Sequence, residues 1–150
     1  MLPGTEERVP AHTEGEINRR IARETAERIR ACMARPELIE RRLAELDREW
    51  DIERTLEANA ATFAFLGTVL GALVRRRFLI LPTAVAGFLF QHATQGWCPP
   101  LPVLRRLGFR TAREIATERF ALKALRGDFD RLAGLEGAAR ADAALAAVKR

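Results

Sequence analysis

Apolar and polar positions are segregated along this chain. The 17 residues Ala58–Val74 carry no Asp, Glu, Lys or Arg, and the 27 residues Phe78–Leu104 carry none either; Arg75, Arg76 and Arg77 alone separate the two runs. Helical signals flank them. Thr13 and Glu16 fit a capping box that opens a helix reaching about Ala34, with Ile17, Ile21 and Ile29 loosely on one side, while the segment up to His12 reads as a loose tail. Pro36 suits the first turn of a new helix. Beyond it Ile39, Leu43, Leu46 and Trp50 recur at spacings of 4, 3 and 4, an a/d seam with Glu37 and Arg41 paired on the outside. So short a seam suits an amphipathic helix lying on a partner or a membrane better than a stable coiled coil. No proline falls between Glu37 and Val74, so one long helix is expected to run from solvent into lipid.

The two charge-free runs have the dimensions of a membrane hairpin. As helices, Ala58–Val74 would span roughly 26 Å and Phe78–Trp97 roughly 30 Å, against a hydrocarbon core of about 30 Å. Arg54 and Arg75 can snorkel to cover the shortfall of the first. Pro82 falls in the first turn of the second, Trp97 at its interfacial end, and Cys98-Pro99-Pro100 with Pro102 are expected to end it. The competing arrangement is a helical hairpin buried in a soluble protein, which flanks this highly charged could not wrap. After the prolines, Thr111 and Glu114 form a second capping box, opening a helix from Ala112 to about Arg126. Ile115, Leu122, Leu125 and Phe129 share one side, with Arg119, Lys123 and Arg126 beside them. That helix suits either an anionic leaflet or another protein surface. Gly134 and Gly137 then break the chain before an Ala-rich tail, Ala138–Arg150.

Charge sharpens this division. Residues 1–57 are net −3, residues 58–97 net +3 and residues 98–150 net +5, which sum to the chain's +5. Three consecutive segments follow: a charged helical arm (1–57), the hairpin with its Pro-rich exit (58–104, spans about 58–74 and 78–97) and a basic juxtamembrane helix with its tail (105–150). The positive excess flanks the apolar core, where arginine meets headgroups, so nucleic acid is not an expected partner. Arg41, Arg42, Arg48 and Arg54 before the spans and Arg105, Arg106, Arg110 and Arg113 after them outnumber the three turn arginines, which places both termini in the cytoplasm by the positive-inside rule.

Candidate chemistry is sparse. Gly67 and Gly71 form a GxxxG which, with Ala60 and Ala64, gives a small-residue face for helix packing; Gly87, four residues after Thr83, offers a matching face within the hairpin. Folding about Arg76 brings Asn59 level with residue 93, so Asn59, Gln91, His92 and Gln95 meet at one membrane face. Mutual hydrogen bonding is the simpler reading of that cluster and a substrate or ion site the sharper one. Cys98 is the one reactive-looking atom nearby, and flanking arginines could lower its pKa. Cys32 and Cys98 lack CxxC spacing, and His12 and His92 cannot build a metal site. No catalytic residue, cofactor or metal is expected.

The stretch Glu53–Phe129, about half of the chain, resembles the YgaP-like inner-membrane family of small bacterial membrane domains. Ile52-Glu53-Arg54 before the first apolar helix, the arginine-bearing turn, Gln91-His92-Ala93, the closure Gly96-Trp97-Cys98-Pro99 and Ala124-Leu125-Arg126-Gly127-Asp128-Phe129 carry the resemblance. It implies two membrane-spanning helices and self-association, and little chemistry. A rhodanese sulfurtransferase domain occurs in that family, but residues 1–57 here show neither alternating strands nor an active-site cysteine loop, so that activity does not carry over. The combined expectation is an all-α bacterial inner-membrane protein without enzymatic activity. It would self-associate or pack on partner membrane helices in the bilayer, and a cytoplasmic partner could bind through residues 37–56. The alternative is a membrane sulfur-relay or redox protein using Cys98.

Overall fold

In the computed structural model, residues 5–149 are described, and among them every regular element is helical. Eight α-helices follow in order: α1 Thr5–Ala11, α2 Gly15–Ala34, α3 Ile39–Leu46, α4 Ile52–Leu73, α5 Ile80–Gln95, α6 Leu101–Arg106, α7 Ala112–Arg126 and α8 Gly137–Lys149. Residues 1–4 of the expected tail and its counterpart Arg150 lie outside the described residues. The chain divides into two units, neither of them contiguous. One combines the residues up to Ile21 with Trp50–Arg113, and the other combines Ala22–Glu49 with the residues from Glu114 onward. This grouping cuts across the three consecutive segments expected from charge.

In the first unit, α4 and α5 pack together through a tip at Val74–Leu79 that contains a short 3-10 turn. Around the other end of this pair lie α1, the start of α2, and α6. Val9, Ile52, Leu56, Cys98 and Leu101 form a small core there, with Trp97, Leu104 and Phe109 packed against it. From Thr5 onward the expected tail is therefore not loose: α1 is a helix whose Val9 is fully buried. The Thr13 capping box does not form either. Thr13 Oγ1 donates to the Val9 carbonyl at 2.7 Å and accepts from Arg105 Nε at 3.2 Å, so the hydroxyl closes α1 instead of opening α2. Gly96, at φ +75°, ends α5, and Pro100 and Pro102 begin α6 rather than merely stopping the preceding helix.

The second unit has a different interior. Cys32, Ile39, Leu43, Leu46, Ile115 and Leu122 form its apolar core. Inside it Glu118, fully buried, accepts from Arg42 Nε at 2.7 Å and Nη2 at 3.2 Å and from Arg28 Nε at 3.3 Å. A carboxylate is tolerated in such a place only when cations and hydrogen bonds replace its water. The outer pairing also departs from expectation, since Arg41 joins Glu45 at 3.1 Å one turn further on, rather than Glu37. Arg42 is bonded to the same carboxylate, and the hydrogen bonds from Arg42 and Arg41 hold the Glu45 carboxyl below its usual range.

Three expectations about these helices are corrected. The chain is not one helix from Glu37 to Val74. It leaves α3 after Leu46 and restarts at Ile52, where Asp51 accepts from the Arg54 N–H at 2.6 Å as an N-cap and the Ile52 N–H reaches the Arg110 carbonyl at 2.9 Å. Trp50 falls in this break and leaves the seam; Arg54 stacks over its ring at 4.4 Å. The remaining seam residues Ile39, Leu43 and Leu46 are buried in their own unit, so they present no apolar stripe to a partner. Nor is the basic side of α7 free for headgroups. Arg119 pairs with Asp47 at 3.0 Å, Arg126 with Glu40 and Asp128 at 2.6 Å, and Lys123 donates to the Val148 carbonyl at 2.7 Å at the end of α8. The Ala-rich tail is that helix: Gly137 is its first residue, and Ala147 is buried.

Candidate functional site

The α4–α5 pair is the feature with a functional bearing. Its close approach comes from glycine. A Cβ at Gly67 would lie 2.6 Å from Pro82 Cδ and 3.1 Å from Leu81 Cβ, and one at Gly71 would lie 2.5 Å from Leu79 Cδ2. Only hydrogen at these two positions lets α5 and the tip reach the α4 backbone. The face completed by the half-buried Ala60 and Ala64 is therefore closed within the chain rather than open to a second copy. Gly87 takes no part: it is exposed, with nothing within 4 Å of an added Cβ.

Away from this seam the large apolar side chains point outward. Leu73 is 80% exposed, Ile80 76%, Phe90 72% and Phe65 68%. Thr62, Thr68, Thr83 and Thr94 each return their hydroxyl to the carbonyl four residues earlier, which satisfies these four donors within their own helices or the turn before them. α4 is long and apolar enough to cross a membrane, at 22 residues, and little of it is buried inside the protein. It is the one helix of that kind among the described residues. α5 alone has 16 residues, roughly 24 Å.

Beside the seam, where α4 and α5 meet α6, lies an almost wholly apolar cavity of about 180 Å³. Asn59, Ala60, Phe63, Phe88, His92 and Cys98 are among its lining residues. Asn59 and His92 thus share a wall, but the expected polar cluster does not form. Asn59 Nδ2 donates to the Thr55 carbonyl of its own helix at 2.9 Å, both ring nitrogens of His92 are buried without a partner, and Gln95 is exposed. No hydrogen bond joins any two of Asn59, Gln91, His92 and Gln95. An amide one turn from a helical carbonyl finds its nearest acceptor there, at no cost in chain entropy.

The partner that caps the end of α5 is invisible in the local sequence. Arg8, from α1, donates through Nη1 to the carbonyls of Ala93 at 3.0 Å and Thr94 at 2.9 Å, placing a cation on the unpaired carbonyls at the helix end. A side chain at Gly96 would strike the Arg8 Cβ. Arg105, fully buried, ties α6 to the start of α2: Nη2 donates to Asn18 Oδ1 at 2.9 Å and Nη1 to the Phe109 carbonyl at 3.0 Å. Cys98 lies buried in the small apolar core with Val9, Ile52, Leu56 and Leu101. Burial pushes its thiol above the ordinary cysteine range, outweighing the opposing backbone hydrogen bond from Leu101, so the expected lowering by flanking arginines is corrected. Cys32 is buried in the core of the other unit. Among the described residues, no group of three or more His, Cys, Asp or Glu is placed to hold a metal ion.

Comparison of the chain with protein-family models, curated proteins and solved structures returned no match.

Proposed function

We propose that this chain is a non-enzymatic protein of the bacterial inner membrane, in which the α4–α5 hairpin is embedded in lipid and anchors the charged helices around it. One observation carries the reading: the most apolar segment turns its largest side chains outward, and no charge falls among them between Ala58 and Val74 or between Phe78 and Leu104. In water such a surface is an exposed apolar patch with nothing to cover it, whereas in hydrocarbon it costs nothing. The YgaP-like resemblance of Glu53–Phe129 agrees with it. Both termini are assigned to the cytoplasm on the arginine count. Any self-association would use the outer surface of the hairpin, since the glycine face is occupied. A sulfur-relay role for Cys98 gains no support from a buried thiol whose pKa is raised.

The test is extraction of membranes from cells making the full-length chain. Alkaline carbonate should leave the protein in the pellet and detergent should release it; recovery in the carbonate wash removes the proposal. A reporter fused after the last residue and active only outside the cytoplasm should stay silent, and strong activity would invert the topology.

A further inference from the structure

We propose that the hairpin tip, Arg75–Arg77, is a binding surface for the headgroups of anionic phospholipids. The inference rests on the membrane reading and adds the lipid chemistry to it. Three consecutive guanidinium groups stand exposed at the tip. Among the described residues none of them makes an ion pair, and Arg77 has a ring neighbour, Phe78, at 5.5 Å. The chain holds no Asp or Glu between Ala58 and Arg113, so the hairpin supplies no counter-charge of its own. Elsewhere the protein answers many of its arginines with carboxylates, as at Arg42 and Arg126.

Position selects the ligand. Leu73, Val74, Leu79 and Ile80 are exposed immediately beside the arginines, so the cations lie where an apolar surface ends. A phosphodiester tethered to acyl chains meets both surfaces at once, whereas free phosphate meets only the cations. Arg75 is extended (φ −151°, ψ 133°) and the next residue opens a 3-10 turn, so the three side chains leave the backbone in different directions and can reach more than one headgroup. The planar guanidinium matches two phosphate oxygens, and charge-assisted pairs of that kind are roughly twice as strong as neutral hydrogen bonds.

The experiment reconstitutes the full chain in phosphatidylcholine vesicles containing a minority of phosphatidylglycerol, re-extracts it in mild detergent and counts the phosphatidylglycerol retained per chain. Wild type should hold it above the bulk ratio. R75Q/R76Q/R77Q should lose that enrichment, so that the phosphatidylglycerol retained falls to the bulk ratio. R19Q/R23Q/R30Q, which removes the same charge from exposed positions of α2, should keep it. Full enrichment in the tip variant, or equal loss in the α2 variant, overturns the proposal. Displacement of the lipid by inorganic phosphate would show a free-phosphate site and overturns the lipid assignment. A wild-type chain that never enters the vesicles fails at an earlier and distinguishable step, and removes the membrane reading together with this one.

Discussion

The two units solve opposite problems with the same kind of helix. In the second, Leu122 is fully buried and Arg42 reaches inward to a buried carboxylate; in the first, Leu73 is four-fifths exposed and the tip arginines face outward. The first arrangement suits water, where apolar surface is hidden and charges are paired or solvated. The second suits a medium that does not penalise leucine. What differs is which groups need an internal partner. In the charged unit these are ions; in the hairpin they are backbone groups and hydroxyls, and nearly every threonine there satisfies itself within its own helix.

This contrast can be broken most forcefully at Glu118. Glu118→Leu should destabilise the charged unit by about 3 kcal/mol, because Arg28 and Arg42 would face a buried site without an anion. Thermal unfolding of the detergent-solubilised chain followed by helical circular dichroism reads this, and an unchanged midpoint would mean the carboxylate is dispensable. In the hairpin the corresponding weak point is steric. Gly67→Ile and Gly71→Ile should each cost about 1–3 kcal/mol through forced separation of α4 from α5 and the tip, while crosslinking between copies stays as in wild type. Loss of intermolecular crosslinks with intramolecular packing intact would return the glycine face to self-association.

Smaller effects sharpen the picture. In a Cys32→Ala background, thiol labelling of Cys98 should be slow at neutral pH and rise with a midpoint above that of free cysteine. The linkage sign follows. A thiol whose pKa is raised on folding contributes its full stability below the unfolded pKa, about 8.5. That contribution falls as pH rises toward the folded value. A stability profile that improves with pH across this window would contradict the burial of Cys98. Asn59→Leu should change stability by less than about 0.5 kcal/mol, since its amide bonds only its own helix; a larger loss in detergent melting would restore the intramembrane cluster.

The legible part of this protein was its local chemistry. Charge-free runs marked α4 and α5, Thr111 and Glu114 bracketed the start of α7, and the Ile39, Leu43, Leu46 spacing marked a buried face. The restart of the helix at Ile52 is signalled by Asp51, a good N-cap residue, although no proline marks the break before it. The rest depends on partners far away in sequence. Glu118 is buried because of residues 76 and 90 positions away, and nothing adjacent to it hints at that. The same holds for the basic residues of α7. Their composition suggests headgroups, while their actual partners come from α3, the chain just beyond it and α8. Even the polar residues of the hairpin were misjudged by level alone, because shared depth does not outweigh an acceptor one turn away.

The clamp of Arg8 on the end of α5 has a consequence for the order of synthesis. The two carbonyls it holds belong to residues made 85 and 86 positions later, and Thr13 and Asn18 wait as long for Arg105. A ribosome therefore releases α1 well before the surface it closes upon exists. α1 must remain uncommitted while both arms of the hairpin are translated, and it locks only when the chain returns. α1 is thus among the last parts of its unit to fall into place, and Arg8→Gln should slow the completion of that unit.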